Sequence, residues 1–413
     1  LHKFYILILA LVFVAEGHIC SQDRDLNFYI QSAVRNNPVV NENNSLIATY
    51  NLRKELVRTS VKSPSIFATA NYLFAPTYND IGYDSSITSG GLYSALLNLD
   101  YPLFRSSAFD VKLMSTDIEQ NGFINTILTT KHDIEKNVTD QYTKSYFDLK
   151  QIDFINKMIA LLDRQKTVVI TLASHGLFKF TDISLLDIEY QNQIINLKKQ
   201  EMLYKQDLLD LNLLAGIDDS SYRTIAAPDS ILHKNEVNSS NFTAQFLLDS
   251  LKLDLDQRQL ELNYKPQLNF FINAGLNAVT YINIQKKFGF STGFNFTFSL
   301  YDGNQVGLNK QLTTIKKNIL SNNKNSFIRL NLIRKTNILK KFDDLESLKK
   351  AQQTLVENYR SLLDIYANEI PSGQTTVIDF INLLKNYYSA ENDLLSTQYQ
   401  RVTLINEYNY WNW

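Results

Sequence analysis

The chain has 413 residues, with 41 Lys+Arg against 42 Asp+Glu and a formal net charge of −1. That length fits two or three domains at about 150 residues each, and the charge balance supplies no basic face for general nucleic-acid binding. Gly (13) and Pro (7) are scarce against average usage of roughly 7% and 5%, so long uninterrupted elements are expected. A single cysteine, Cys20, excludes an intrachain disulfide and a cysteine zinc cluster.

Residues 1–22 predict a secretory signal peptide. Lys3 is the positive n-region, Phe4 to Ala15 is the apolar run, and cleavage is expected near Ser21. A spanning helix needs about 20 apolar residues, so this run is too short to be one. The alternative is a lipoprotein signal with Cys20 acylated. It is disfavoured because bulky Ile19 stands where a small residue is wanted. After Gln22 no stretch approaches a spanning helix.

A first pair of period-2 runs follows, at about 65–75 and 91–103. Ile66, Ala68, Ala70, Tyr72 and Phe74 share one face, against Thr69 and Asn71. Tyr93, Ala95, Leu97, Leu99 and Tyr101 then oppose Ser94, Asn98 and Asp100. Helical stripes come next, at about 106–173 (Ile127, Ile134, Val138, Tyr142 and onward) and 182–213 (Ile183, Leu186, Tyr190, Ile194 and onward). A polar connector, 217–239, separates this half from the next. The second half repeats the order. Strands are expected at about 267–277 and 288–300, and helices at about 305–367 and 377–408. Here Leu268, Phe270, Ile272 and Ala274 oppose Gln267, Asn269 and Asn273. Phe288, Phe290, Phe294, Phe296, Phe298 and Leu300 oppose Gly289, Ser291, Gly293, Asn295, Thr297 and Ser299. A helix of about 65 residues would be ~100 Å long at 1.5 Å per residue.

The two halves are two copies, 23–216 and 240–413. Leu103-Phe104-Arg105-Ser106 and Leu300-Tyr301-Asp302-Gly303 lie 197 residues apart, and so do the turn segments Gly176–Asp182 and Gly373–Asp379. Pro64 and Pro266 lie 202 apart, and the five-residue difference falls between the strands, where a loop absorbs it.

Runs of about 10 residues suffice for one tilted bilayer crossing as a β-strand. A soluble sheet shows the same alternation, but a Phe-rich face set against a small polar one favours a barrel wall. Four strands cannot close such a wall, and in lipid no edge can be left unpaired. Several protomers must then share one barrel, and three would contribute twelve strands. Asn71, Asn98, Asp100, Asn269, Asn273, Asn295 and Thr297 are the candidates to line its lumen. The expected fold class is therefore a membrane α+β protein with two internal structural repeats. Four strands per protomer complete a 12-stranded barrel in a homotrimer, continued by a long α-helical barrel.

Over residues 26–410 the chain resembles the TolC family of outer-membrane efflux proteins. The resemblance rests on Ala33-Val34-Arg35-Asn36-Asn37-Pro38 and on the doubled strand–strand–helix–helix order. It rests also on the Pro-Leu-Phe and Ser-Leu-Tyr-Asp-Gly strand exits and on Gly-x5-Asp at both helix turns. It implies a homotrimeric outer-membrane channel whose helical barrel crosses the periplasm to a gated end. The trimer would serve as the exit duct of a tripartite efflux or type I secretion system. Its partners would be a periplasmic adaptor (membrane fusion protein), an inner-membrane pump and outer-membrane lipid.

By the same resemblance the turn glycines are Gly176 and Gly373, and the aperture candidates are Asp182, Asp379, Thr375 and Asn382. The chain departs from the family pattern at three places. Thr375 stands for an arginine, Asn382 for an aspartate and Ile370 for a tyrosine, so the family's salt-bridge latch is not expected from these residues. Asp182 and Asp379 also suit capping of the returning helices. The tips Leu177–Thr181 and Gln374–Ile378 are the expected docking surface. Pro76–Gly91, with Tyr78, Asn79, Asp80, Tyr83, Asp84 and Ser85, and Ala278–Lys287 are the expected outward loops.

No catalytic constellation is present. His2, His18, His132, His175 and His233 are scattered, and no His-Glu-x-x-His or phosphate-binding glycine loop occurs. No enzyme activity, cofactor or metal site is expected. The rival reading is a periplasmic coiled-coil adaptor or structural protein whose strands form a self-contained soluble sheet.

Overall fold

A computed structural model describes residues 24–76, 78, 81–84, 87, 90–229, 231–233 and 240–413. The signal reading at 1–22 with Cys20, loop residues Asn79, Asp80 and Ser85, and connector residues 234–239 lie outside the described residues. The chain is mostly helical with one four-stranded antiparallel sheet. It divides into two compact units, and each draws on both halves of the sequence. One holds Glu42–Thr126 and Phe242–Phe327; the other holds the described residues up to Asn41, then Ile127–Asn241 and Ile328–Trp413.

The first unit holds the sheet. Its strands are β1 (Ser65–Ala75), β2 (Gly90–Leu103), β3 (Gln267–Ala278) and β4 (Phe288–Thr297), adjacent in chain order. β4 stops at Thr297, short of the expected 300. Thr297 pairs with Gln267, the first residue of β3, and the residue before that is Pro266, which has no N–H to extend the ladder. Cross-strand partners set the register. Tyr72 faces Tyr93 with ring centroids 5.1 Å apart, and Phe270 faces Phe294 at 5.4 Å. Gly275 (φ +151) lies so close to β2 that a Cβ would fall 2.1 Å from the Ala95 carbonyl oxygen. Only glycine fits there.

Two helices that sequence periodicity leaves unassigned lead into the strands. The helix before β1 spans Asn43–Lys62, and the one before β3 spans Ala244–Asn263. Each pairs with the start of the long helix that follows its hairpin. Arg53 meets Glu119 at 3.3 Å and Lys54 meets Asp117 at 2.6 Å. Around the second hairpin the polarity is reversed. Glu261 meets Lys310 at 3.3 Å, and Asp254 pairs with Lys317.

The second unit is helical. Numbered in chain order across both units, α1 is Leu26–Asn36, α2 is Asn43–Lys62, α3 is Ser106–Ser174 and α4 is Phe180–Ala215. The Ala244–Asn263 helix is α5, α6 is Gln305–Glu369 and α7 is Val377–Trp411. α3 and α6 contribute their starts to the first unit and their remainders to this one. Two apolar clusters hold it. One joins Tyr29 and Ala33 of α1 to Val138, Tyr142 and Ile152 of α3 and Tyr204, Leu208 and Leu211 of α4. The Tyr142 hydroxyl donates to the Ala226 carbonyl at 2.8 Å and the Tyr204 hydroxyl to Arg223, which ties down the start of the connector. The other cluster surrounds the helix turns, with Met158, Leu162, Leu186, Leu363, Ile370, Val377, Phe380 and Leu384. Near the chain end, the His132 ring stacks on Tyr410 at 4.8 Å and on Trp413 at 4.4 Å. Among the described residues no helix is long and apolar enough to cross a membrane.

Candidate functional site

The strand register sorts every side chain of the sheet. Facing pairs point the same way, and the way alternates along each strand. One face carries Ile66, Tyr72, Phe74, Tyr93, Leu97, Leu99, Tyr101, Phe270, Ile272, Leu276, Phe288, Phe290, Phe294 and Phe296. Its one polar side chain, Thr292, donates to the Phe271 carbonyl at 3.1 Å. In the single chain this face is bare, with Phe290 at 81% and Tyr72 at 64% exposure. An apolar area of this kind needs another medium or another surface to cover it.

All seven sequence candidates, Asn71, Asn98, Asp100, Asn269, Asn273, Asn295 and Thr297, fall together on the opposite face. Asn269 stands directly opposite Asn295. The Asn98 amide donates to the Thr69 hydroxyl at 2.8 Å. This face is not uniformly polar, since Phe67, Leu73, Leu92, Leu96 and Phe271 share it. Phe271 lies over its partner Gly293, where a Cβ would come 2.9 Å from the ring. The glycine makes room for the ring on a polar surface.

Within the chain β1 and β4 are sheet edges. Their outer N–H and C=O groups have no strand beside them, and in a hydrocarbon medium each would demand a partner.

The two turns lie in the helical unit. α3 ends at Ser174, just before Gly176 (φ +75), and α6 gives way to a single turn ending at Gly373 (φ +71). The left-handed backbone lets Leu177 N–H reach the Leu172 carbonyl at 3.1 Å and Gln374 N–H reach Glu369 at 3.3 Å. After each glycine a helix restarts four residues on, at Phe180 and at Val377, and its third residue is an aspartate. Asp182 accepts from the Lys179 N–H at 2.9 Å. Asp379 accepts from the Thr376 hydroxyl at 2.6 Å, and that oxygen in turn takes the Asp379 N–H at 3.2 Å. Asp182 therefore takes a backbone N–H at the start of its helix, whereas Asp379 holds the Thr376 hydroxyl that caps the other.

Thr375, 7% exposed, donates to the Glu369 carboxylate at 2.6 Å. Asn382 is exposed on α7, and none of the hydrogen bonds of the turn uses it. Leu177, Phe180 and Ile378 leave apolar surface exposed at the tips. Glu369 carried no sequence signal for this role, because it closes a long run of helical charges.

Two further polar sites were not readable from spacing. Glu189 on α4, 4% exposed, accepts from Gln193 at 2.9 Å and meets Lys385 of α7 at 3.5 Å. Asp148 on α3 lies against Asp207 on α4, where Lys144 reaches Asp207 at 2.7 Å and Gln200 reaches Asp148 at 2.8 Å. No group of three potential metal ligands occurs among the described residues.

This arrangement of hairpins, long helices and capped turns is the fold of outer-membrane channel proteins. The outer membrane protein VceC of Vibrio cholerae superposes with a TM-score of 0.73 at 12% identity, covering 95% of this chain and 96% of that one. The CmeC outer membrane channel of Campylobacter jejuni gives 0.69 at 11% identity, with 94% and 86% covered. The MtrE outer membrane channel of Neisseria gonorrhoeae, solved in its open state, gives 0.70 at 12% identity, with 94% and 89% covered. No protein-family model matches the chain, and no curated protein matches it in sequence.

Proposed function

We propose that the chain belongs to the TolC-like family and is the outer-membrane exit duct of a tripartite efflux or type I secretion system. Three copies would close a 12-stranded barrel, with the Phe-rich face toward lipid and the asparagine face toward water. The observation that carries this reading is the sorting of the sheet. One face is almost wholly apolar, the other holds all the amides, and both edges await a neighbour. The likeness of fold to outer membrane channels supports it.

Conduction would be passive. The helices would continue the duct through the periplasm, and a signal peptide would export the chain. The tips Leu177–Thr181 and Gln374–Ile378 would meet a periplasmic adaptor fed by an inner-membrane pump. Asp182 and Asp379 would ring the aperture while tied into their helix starts, beside Thr375 and Asn382, and three like carboxylates would attract cations there.

The test is purification and planar-bilayer recording. A detergent-dependent trimer with discrete conductance steps is expected. A water-soluble monomer with no conductance would return the chain to the rival adaptor reading.

A further inference from the structure

Four strands and their two faces hold a single charged residue. β1, β3 and β4 contain no Asp, Glu, Lys, Arg or His, and β2 contains Asp100 alone. A charge within a membrane wall is costly, and where one is kept it marks a pathway or a fixed field.

The register places Asp100 on the asparagine face, opposite Ser65 on one side and Phe271 on the other. Ser65 is the first residue of β1, and β2 ends three residues later at Leu103. Asp100 therefore sits at the end of the wall from which the helices leave. Its backbone oxygen accepts from the Ser65 hydroxyl at 3.4 Å, and no ion pair or hydrogen bond among the described residues uses its carboxylate. Phe271, the residue across from it, is committed to Gly293. The cationic residues Lys62, Arg105, Lys112 and Lys265 line the two cavities at the strand ends, and among the described residues none of them forms an ion pair with Asp100.

We infer that Asp100 sets the ion preference of the barrel: three copies of one carboxylate, at the helix end of a wall otherwise free of charge, favour cations and cationic cargo over anions. This rests on the channel reading above. The other residues of this face are amides, hydroxyls, glycines and a few apolar side chains such as Phe67 and Leu96, none of them charged, so they do not discriminate cargo by its sign. A ring of three fixed charges in that setting dominates the local field and is screened only over about a Debye length.

The experiment is reversal potential in a neutral-lipid planar bilayer under a potassium chloride gradient. The wild-type protein should show a cation-over-anion permeability ratio above one. Asp100→Asn should bring it down about two-fold or more toward one, with single-channel current retained. Asp100→Cys gives a second reading. An anionic sulfonatoethyl methanethiosulfonate should restore the preference and a cationic trimethylammonium reagent should reverse it, with wild type as the control for Cys20. A wild-type ratio at or below one overturns the inference, and so does a ratio that neither variant moves. If only Asp100→Glu assembles, the residue serves folding of the wall, and the inference is again overturned. Wild-type protein that passes no current at all removes the channel reading, and this inference with it.

Discussion

Asp148 of α3 and Asp207 of α4 stand side by side as two acids within hydrogen-bonding reach of each other, and Lys144 bonds Asp207 at 2.7 Å. Asp207 is 4% exposed. Burial alone would raise its pKa, but the bond from Asp148 and the Lys144 ammonium outweigh it and hold the group below the usual carboxylate range. Asp148 takes the opposite part. Burial first, then the bond to Asp207, pushes it up to about 7. A proton there also satisfies Asp148 Oδ2, which is otherwise buried without a partner. Gln141 bonds Asp207, Gln200 bonds Asp148, and the Tyr204 phenol lies nearby.

The sign of the pH effect follows. The pKa of Asp148 is higher folded than unfolded. Its stabilising contribution is therefore complete below about pH 4 and is lost as pH rises to about 7. Thermal unfolding should fall by a few degrees between pH 5 and pH 8. Asp148→Asn, which still offers Asp207 a donor, should flatten that slope. A slope unchanged in the variant would show that the pair does not share a proton.

The turn acids separate two roles that one residue can hold together. Asp182→Ala removes a carboxylate that takes a backbone N–H at its helix start, at a cost of about 0.5–2 kcal/mol, and Asp379→Ala, which only frees the Thr376 hydroxyl that caps the other helix, should cost less; both are measurable by denaturant or heat. As aperture residues they should also change single-channel current and ion preference. Loss of stability with unaltered current and selectivity in both variants would leave the caps and remove the gate.

Thr375→Val addresses the contact that replaces the family's arginine. It strips the Glu369 carboxylate of its donor inside the turn. Glu369 is half-buried, so the loss should fall toward the lower end of the about 1–3 kcal/mol that an unpaired buried acceptor costs. Hydrogen exchange should quicken around Ile370 and Val377, which flank the turn and are among the most buried residues of the cluster. Thr375→Ser, which keeps the hydroxyl, should behave as wild type.

The strands were legible because a period of two is a strong signal when one face is nearly all Phe, Ile, Leu and Tyr. The four-strand sheet and the long helices follow from it and from the scarcity of Gly and Pro. What pattern could not supply was pairing. Nothing in Phe271 alone says that it lies on the polar face, because the glycine that admits it is on another strand. The helices at Asn43–Lys62 and Ala244–Asn263 escaped notice because residues such as Leu52, Leu56 and Leu247 are exposed, so no single buried stripe marks them. Asp148 and Asp207 read as ordinary helix charges, since spacing gives a face but not the helix that meets it. The turn aspartates were visible through Gly-x5-Asp, a short pattern whose two ends are fixed by one backbone geometry.

Two glycines test the sheet's close approach. At Gly275 an added Cβ meets the Ala95 carbonyl oxygen at 2.1 Å, and the residue has φ +151; at Gly289 nothing lies within 4 Å. Gly275→Ala should therefore disrupt the β2–β3 pairing and abolish assembly, whereas Gly289→Ala should be tolerated. The two differ by one methyl group each, so composition and hydropathy cannot explain a contrast. Heat-resistant oligomer on an unboiled gel is a sufficient readout.

Phe290 and Ser291 are neighbours in β4 and point to opposite faces, Phe290 with its partner Ala274 and Ser291 with Asn273. The same substitution at each tests which medium covers which face. A lysine on the lipid side of a barrel costs about 2–4 kcal/mol at mid-depth, and a lysine in the lumen costs little and changes selectivity. Phe290→Lys should thus lower barrel stability or prevent membrane insertion. Ser291→Lys should assemble normally and shift the reversal potential toward anions. If the two variants fold equally well in water without detergent, both faces meet solvent, and the sheet is not a membrane wall. If Ser291→Lys is the damaging one, the wall is turned inside out relative to the assignment made here. Adjacent positions share depth, strand and secondary structure, so the only variable left is the side of the sheet.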